Sequence, residues 1–452
     1  MLRQAEPTPP TEARRYRSFD GGVSVNSSCF APDRYRFWDD ATRSAGISRG
    51  AGFSYSAASF AQSVPSVEHC HFNRLLDFDS ETNILEVETG VTLGQLYQFA
   101  APRGLFVPVQ PGHPKITVGG CIGADVHGKN QFRDGTFREI TDSLQLFHPS
   151  HGVLDLSRSN NPGIFSLTCG GYGLTGNILS ARLRLTPTVS SRVSLEVAPV
   201  ANIYEFAADL ERAAAANELV YSWHDFTARG KGFGRGVIVT GTFDQRRPAA
   251  KREERWEGSS RLDSATVGRW PICLFNRLTT PVFNRLYRTS FEWLPSIKQI
   301  SLYDFLFPVH NKEIYFRLFG KGGFHECQIL LGPTQFNSFV EKIQRRLERH
   351  PVAITLTSAK LFRGRKELLR FTGDGICIAL NFPRNRQGAA FASFLDELLI
   401  QHGGLPNLIK DSRLSARVVK AAYSEYDRFR SRLRDFDPRR LYRSELSERL
   451  QL

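Results

Sequence analysis

No stretch of the 452-residue sequence stays apolar over the about 18 to 20 residues that a membrane-spanning helix needs, so a transmembrane bundle is excluded. No hydrophobic region follows the Arg14-Arg15 pair in the polar, proline-rich opening M-L-R-Q-A-E-P-T-P-P-T-E-A-R-R, which therefore reads as neither a Sec nor a twin-arginine signal. There is no C-x-x-C pair. The seven cysteines (Cys29, Cys70, Cys121, Cys169, Cys273, Cys327 and Cys377) stand singly and are odd in number, the pattern of reduced thiols in a cytosolic protein rather than of a disulfide framework. An RNP aromatic box, a helix-turn-helix signature, a Cys/His finger spacing and an internal repeat are also missing, so nucleic acid is not an expected partner. Acidic residues are in deficit. With 45 Asp and Glu against 59 Lys and Arg, the net charge is +14, and the chain should be drawn to an anionic partner such as a phosphorylated substrate or the cytoplasmic surface of a membrane.

The length suffices for two or three domains, and 41% hydrophobic with 23% charged residues is a globular composition. The first forty residues read as a frayed lead-in with a basic, aromatic patch (Tyr16, Tyr35, Phe37, Trp38). From Gly46 to Pro187 short apolar strands alternate with glycine clusters, and one clear helix opens at Thr92. There T-L-G-Q forms a capping box with Gln95, Leu93, Leu96, Tyr97 and Ala100 share a face, and Pro102 and Gly104 end the helix. Leu183, Leu185 and Thr186-Pro187 close a strand, and Val193, Leu195 and Val197 begin another sheet, placing a domain boundary near residue 190.

Residues 228–298 are basic and irregular. They hold K-R-E-E-R-W-E-G-S-S-R and then Trp270, Phe275, Phe283, Tyr287, Phe291 and Trp293, and read as a mobile lid or a partly helical segment. Further on, strands are expected over 324–331, 352–362 and 375–382. Phe336, Phe339, Val340, Ile343 and Leu347 stripe one helix, and Phe391, Phe394, Leu395, Leu398 and Leu399 stripe a second that ends at Gly403-Gly404. This is an α+β arrangement, an antiparallel sheet with helices on one face. Helical, arginine-rich patterning resumes from Arg413.

Chemistry concentrates in three glycine-rich segments. In S-R-G-A-G-F-S-Y-S, Ser48 to Ser56, residues without bulky side chains would let backbone N–H groups approach an anion such as a pyrophosphate. In P-G-H-P-K-I-T-V-G-G-C-I-G-A-D-V-H-G-K-N, Pro111 to Asn130, five glycines let the backbone press against a flat polar ligand, and His127 stands beside Asp125, Lys129 and Asn130. The third, T-C-G-G-Y-G-L-T-G-N from Thr168 to Asn177, contains a formal G-x-G-x-x-G. The residues after it read as a strand, whereas a dinucleotide fingerprint opens a helix, so a Rossmann fold is rejected.

In this order and spacing the segments resemble the flavin domain of the vanillyl-alcohol oxidase family of FAD enzymes (PCMH type). The likeness is greatest to its branch acting on polyprenyl-phosphate-linked ribose. The quoted T-V-G-G-x-I-G-x-D-x-H-G-K-N and G-G-x-G-L-T-G carry the resemblance, together with K-D-S-R at Lys410 to Arg413 and D-P-R-R-L-Y-R-S at Asp437 to Ser444, where that family's chain returns to its flavin domain. It implies an FAD-binding domain over 10–190, a substrate domain over 191–404 and a return to the flavin domain over 405–452. It also implies that Arg49, Gly50, Ala51, Gly52, Phe53, Ser54 and Tyr55, with Gly112, Thr117, Val118, Gly119 and Gly120, hold the diphosphate and ribityl chain, while Ala124, Asp125, Val126, His127 and Ile178 line the flavin. Covalent relatives place a histidine where Phe53 stands, so noncovalent FAD is implied. Where near relatives continue S-Y-G-D, this chain has Ser54-Tyr55-Ser56-Ala57.

On the substrate side the resemblance implies Gln328, Lys360 and Lys410 as pocket residues, His127 and Lys410 as catalytic candidates, and a pocket-lining strand that here holds Cys377 and Ala379. A lysine beside the flavin N1/C2 carbonyl suits the negative charge of reduced flavin, and a second can pair a phosphate. The implied reaction oxidises a secondary carbinol of a lipid-phosphate sugar, with an NAD(P)H-dependent keto-sugar reductase as partner. Oxidation of a free sugar, alditol or aldonolactone and a non-catalytic flavin-fold binding protein are the alternatives. No metal site is expected at E-H-C-H, Glu68 to His71, since it has no matching second pair of ligands. The arginines from Arg428 to Arg440 read as a solvated helix face interleaved with Phe429, Leu433 and Phe436.

Overall fold

The structure is a computed structural model and describes residues 12–32, 46–188, 190–243, 269–292, 297–308, 310, 312–355 and 357–452. Tyr35, Phe37, Trp38, the K-R-E-E-R-W-E-G-S-S-R run and Trp293 lie outside the described residues. The described strands gather into four sheets. A small mixed sheet joins β1 (Glu12–Arg17) to β2 (Ser24–Phe30), then β4 (Ser66–Glu68) and β3 (Ile47–Arg49), the last two pairings parallel. An antiparallel sheet runs β5 (Leu75–Asp79), β6 (Ile84–Glu88), β10 (Asn177–Arg184), β8 (Thr141–His148) and β9 (Gly152–Ser157). Strands β7 (Leu105–Phe106) and β11 (Thr186–Pro187) form a short ribbon.

The largest sheet is antiparallel and eight-stranded. Its order is β15 (Ile297–Ser301), β12 (Arg192–Val200), β14 (Arg235–Phe243), β13 (Leu219–Asp225), β17 (Thr357–Phe362), β18 (Gly375–Pro383), β16 (Phe324–Leu331) and β19 (Leu405–Pro406). Every residue of β18 is buried, so the middle of the sheet is covered on both faces. Alternation along the strands decides which side chains share a face. His224, Cys327 and Phe382 point to the face on which the helices Phe206–Ala216, Pro333–Arg349 and Arg386–Gln401 pack, as the contacts Phe206 to His224 and Phe382 to Phe391 show. Trp223, Lys360, Cys377, Ala379, Glu326 and Gln328 take the opposite face, where the helix Thr279–Glu292 sets Tyr287 against Trp223 at 4.9 Å.

The helices follow local chemistry. Thr92 caps Leu93–Ala100 through the capping box with Gln95, and the chain leaves at Gly104 with φ +67°. Phe336, Phe339, Val340, Ile343 and Leu347 are all buried beneath Pro333–Arg349, each contributing about 1.5 to 3 kcal/mol of burial. Phe391, Leu395, Leu398 and Leu399 do the same under Arg386–Gln401, with Phe394 half-buried at its edge. Tyr426, Phe429, Leu433 and Phe436 are buried beneath Tyr426–Phe436; Arg428 and Arg434 face outward, while Arg430 and Arg432 are half-buried and Arg432 donates to Gly163 O (2.7 Å).

Four readings need correction. The lead-in expected to be frayed holds the paired strands β1 and β2, with Tyr16 buried. The segment expected to be irregular from residue 228 holds β14, a strand inside the largest sheet. The expected strand over 352–362 starts only at Thr357, because the Ile354 N–H donates to the Val352 carbonyl (2.9 Å) and turns the chain back on itself. The glycine-rich stretch after Thr117 is a helix, Val118–Ala124. Thr117 accepts the Gly120 N–H, and Val118, Cys121 and Ile122 are buried, which offsets the poor helix propensity of three glycines.

Buried imidazoles set an acid limit. His69 lies 3.3 Å from both Asn177 Oδ1 and Thr89 Oγ1, His224 is bonded to Gly234 O (2.9 Å), and His325 has no hydrogen-bond partner among the described residues. Burial holds His69 and His224 down to about 4 and His325 to about 3, from an ordinary 6.5. A folded pKa below the unfolded one contributes stability that is complete above about pH 6.5 and is lost as pH falls towards the folded value. At about 1.4 kcal/mol per unit for each group, the three together remove roughly 8 kcal/mol between pH 6.5 and about 4.5, comparable with a whole folding free energy. Circular dichroism from pH 8 to 4 is expected to show cooperative unfolding by about pH 4.5 to 5. An unchanged native signal at pH 4 would refute this accounting.

Candidate active site

Strand β3 ends at Arg49 and the chain enters the loop Gly50 to Ser54. The Arg49 guanidinium is buried over the Tyr16 ring at 4.7 Å and donates to Ser59 Oγ at 2.9 Å, fixing the start of the loop; burial lowers its pKa. Gly50 is dictated by contact, since a Cβ there would lie 2.2 Å from Thr117 Oγ1, and Gly52 takes φ +71°. The backbone N–H groups of Gly50, Ala51, Gly52, Phe53 and Ser54 find no acceptor among the described residues. Five free donors in succession make a cradle for an anion.

The second segment supplies the facing wall through Thr117, Gly119, Gly120, Gly123, Ala124 and Val126. The third turns from the helix Pro162–Thr168 into β10, which is the reverse of a Rossmann strand–turn–helix. Its Tyr172 N–H donates to Gly123 O (2.7 Å), and Tyr172, Gly173 and Gly176 border the same space. Together the loops enclose a cleft with about 1100 Å³ of atom-free space, part of it open to solvent.

Of the flavin contacts expected, Arg49, Gly50, Ala51, Gly52, Phe53, Ser54, Thr117, Gly119, Gly120, Ala124, Val126 and Ile178 line this cleft, joined by Ser48, His69, Thr89, Ile409 and Lys410. Tyr55, Gly112, Val118 and His127 do not; Val118 is core. Asp125 is also turned elsewhere. Its carboxylate pairs with Arg370 Nε and accepts the Arg138 N–H (2.9 Å). Lys129, expected beside His127 in the site, donates to the carbonyls of Phe305 and Leu306, and Asn130 donates to Pro108 O (2.6 Å). These residues brace the loop from behind. Phe53 packs with His113 at 4.3 Å and Phe19 at 5.4 Å and offers no nucleophile. His69 borders the cleft while His71, two residues on, is exposed, so the E-H-C-H pair does not converge.

At one end of the cleft lies a polar cluster. Lys410 Nζ is 3.1 Å from Glu326 Oε1 and 3.9 Å above the centre of the Tyr55 ring. Gln328 Nε2 donates to the same carboxylate oxygen (3.0 Å), and Asn407 Nδ2 donates to Gln328 Oε1 (2.8 Å). The return segment ties loop to sheet, because Tyr55 N–H donates to Ile409 O (3.1 Å) and Asn407 N–H to Gln328 O (2.9 Å). Lys360 stands opposite Cys377 in the β17/β18 pairing, and burial lowers its pKa. Cys377 beside it is a buried thiol pushed up to about 12 by burial. His127 rests against Phe362 at 4.7 Å and bonds to Gln328; burial, with Lys360 adding repulsion, holds its pKa well below 6.5, so the ring is neutral at pH 7.

The four residues expected on the substrate side, His127, Gln328, Lys360 and Lys410, thus meet at one place. Glu326 and Asn407 complete it and were not foreseen. Glu326 was within reach, since it lies two positions from Gln328 on a strand and must share its face. A carboxylate between two lysines leaves a net positive cluster beside an apolar-walled cleft, suited to a ligand with a flat ring system and a negatively charged part.

The loops, the anion cradle and the lysine-bearing end of the cleft suit a flavin-dependent oxidoreductase. Residues 41–157 match the family model described as FAD binding domain. The chain is an FAD-dependent oxidoreductase with a PCMH-type FAD-binding domain. It is similar to the decaprenylphosphoryl-beta-D-ribose oxidase of Mycolicibacterium smegmatis, with 29% identity over 90% of this chain and 89% of that one. Shorter likenesses reach the D-lactate dehydrogenase of Anaerostipes hadrus (27% identity; 29% of this chain, 28% of that one) and the L-gulonolactone oxidase of Mus musculus (30%; 25% and 26%). None of the described helices is long and apolar enough to cross a membrane.

Proposed function

We propose that this protein oxidises a secondary hydroxyl of a pentose carried on a polyprenyl phosphate. The observation that carries the reading is the position of Lys410, which lines the flavin cleft and also anchors the polar cluster of Glu326, Gln328, Lys360 and His127. The name and near-full-length coverage of the mycobacterial relative support the substrate class. In this reading residues 10–190 and 405–452 hold the flavin and 191–404 form the substrate domain.

Gly50 to Ser54 and Thr117 to Gly120 hold the FAD diphosphate and ribityl chain without a covalent link, with Phe53 offering no attachment point. Bound FAD supplies the two-electron acceptor. The chain's own residues do the rest. Lys360 pairs the substrate phosphate, Gln328 and Asn407 orient the sugar, and neutral His127 accepts the hydroxyl proton as the carbon is oxidised. Lys410 places its positive charge beside the flavin. The keto sugar then passes to an NAD(P)H-dependent reductase, with both proteins at the cytoplasmic face of the membrane.

The test is anaerobic. The purified yellow protein is mixed with a polyprenyl-phosphoryl pentose, and flavin bleaching is followed near 450 nm. Acid precipitation is expected to release the colour into the supernatant, and the lipid-linked pentose is expected to bleach the flavin where free pentoses, alditols and aldonolactones do not. Bleaching by a soluble lactone or polyol alone would replace this reading with oxidation of a free sugar derivative.

A further inference from the structure

The helix Thr279–Glu292 has two apolar sides. One sets Phe283 6.3 Å from Tyr315 and Tyr287 4.9 Å from Trp223, on the site face of the large sheet. The other continues from Leu278 at its start through Val282 and Leu286, four residues apart, and these are 82%, 58% and 65% exposed. Spacing of four keeps them on one stripe. Ile314, next to Tyr315, and Ile272 are similarly bare. The segment of Ile272 is held against the same region by the Leu274 N–H donating to Leu318 O (2.8 Å). So many large aliphatic side chains on one side of a protein mark a surface that something covers.

The charge around them says what. From Trp270 to Glu292 the chain carries Arg277, Arg285 and Arg288 against a single acidic residue, Glu292. Arg277 and Arg285 are exposed beside the stripe, and Lys312 and Arg317 flank Ile314, whose acidic neighbour Glu313 is drawn to His113 at 3.3 Å. A second copy of this chain would bring like arginines face to face, with one carboxylate in this segment, Glu292, to set against three arginines. An anionic bilayer meets both requirements, taking aliphatic side chains into its acyl boundary and guanidinium groups at its phosphates. We propose that this face is the surface on which the protein docks to an anionic lipid membrane, with the helix Thr279–Glu292 lying in the plane of the interface.

The docking face is connected to the site. Phe283 meets Tyr315, Tyr315 meets Phe316 at 5.2 Å, Phe316 meets Phe19 at 5.0 Å, and Phe19 meets Tyr55 at 5.0 Å, beneath the Lys410 ammonium. For a lipid-linked substrate, which rests on the reading above, this packed aromatic cluster places the docking face next to the Lys410 end of the cleft. Docking itself does not depend on that substrate.

The experiment uses the FAD-loaded full chain and sedimentation with sucrose-loaded vesicles of phosphatidylcholine alone or mixed with phosphatidylglycerol. The wild type is expected to pellet with the anionic vesicles only and to be released by salt. The variant Val282→Asp/Leu286→Asp is expected to lose at least about tenfold in partitioning, with flavin absorbance and thermal midpoint unchanged. Equal partitioning of variant and wild type, or wild type left in the supernatant with anionic vesicles, overturns the proposal. So does a dimer in sedimentation velocity that the variant abolishes, which gives the stripe to a second copy. A variant that loses vesicle binding while no lipid-linked sugar bleaches the wild-type flavin keeps the docking face and removes the substrate reading.

Discussion

Gly123→Val is expected to yield a folded protein that purifies colourless. Gly123 borders the cleft, and a Cβ built there meets nothing nearer than Gly173 N at 3.7 Å, so the protein itself tolerates a side chain at this point. Valine is also no worse than glycine inside a helix. Its two methyl groups extend into the space assigned to the flavin. FAD affinity should fall by at least about 100-fold, equivalent to about 2.7 kcal/mol. The measurement is the 450 nm to 280 nm absorbance ratio with an FAD titration of apoprotein, and the thermal midpoint of the apo form serves as the folding control. Gly50→Ala provides the contrast. Its Cβ would strike Thr117 Oγ1, the cap of the helix Val118–Ala124, so stability and flavin should fall together. A Gly123→Val protein holding one FAD as tightly as wild type would mean that the cofactor lies elsewhere.

The second large effect concerns Lys410 and Glu326. Lys410→Met removes a cation that touches both the cleft and the polar cluster and leaves the buried Glu326 carboxylate with Gln328, at 3.0 Å, and the Tyr55 hydroxyl as side-chain donors. Losing one member of a buried ion pair leaves the other uncompensated. Because the Lys410 side chain is partly exposed, the cost to folding should stay near about 2 kcal/mol. The rate of flavin reduction should drop by at least about 100-fold, or about 2.7 kcal/mol of barrier. Glu326→Gln keeps a hydrogen-bonding amide but releases the ammonium, and a fall of about tenfold is expected. The double variant should lose less than the two single losses multiplied, since the residues act as one unit. Stopped-flow reduction at matched FAD content separates this from a loss of cofactor. Fully multiplicative losses would show that Glu326 does not act through Lys410.

Much of the molecule was legible because its signals are local. Thr92 and Gln95 are three residues apart, and the capping box they form is present. The strand Phe324–Leu331 is a short apolar-rich run, and the striped helix after it repeats with the period of 3.6 that burial on one face imposes. The third glycine segment was told apart from a dinucleotide fingerprint by the alternation of the residues after Gly176, and these form the strand Asn177–Arg184. The helix Val118–Ala124 was missed for the converse reason. Three glycines suppress its propensity, and it exists because Val118, Cys121 and Ile122 find a core.

Composition, periodicity and turn chemistry alone thus determined the α+β class, the main strands and helices beyond residue 323, the glycine loops and the basic balance of the chain. Those properties depend on residues near one another in the sequence. Only the tertiary structure decided which functional groups meet. Asp125 was expected as a flavin contact, but Arg370, 245 residues away, takes its carboxylate, and Lys410 finds Glu326 only because the return segment is bonded to β16. An ion pair between distant residues has no periodicity and no local propensity, so nothing short of the packed chain announces it.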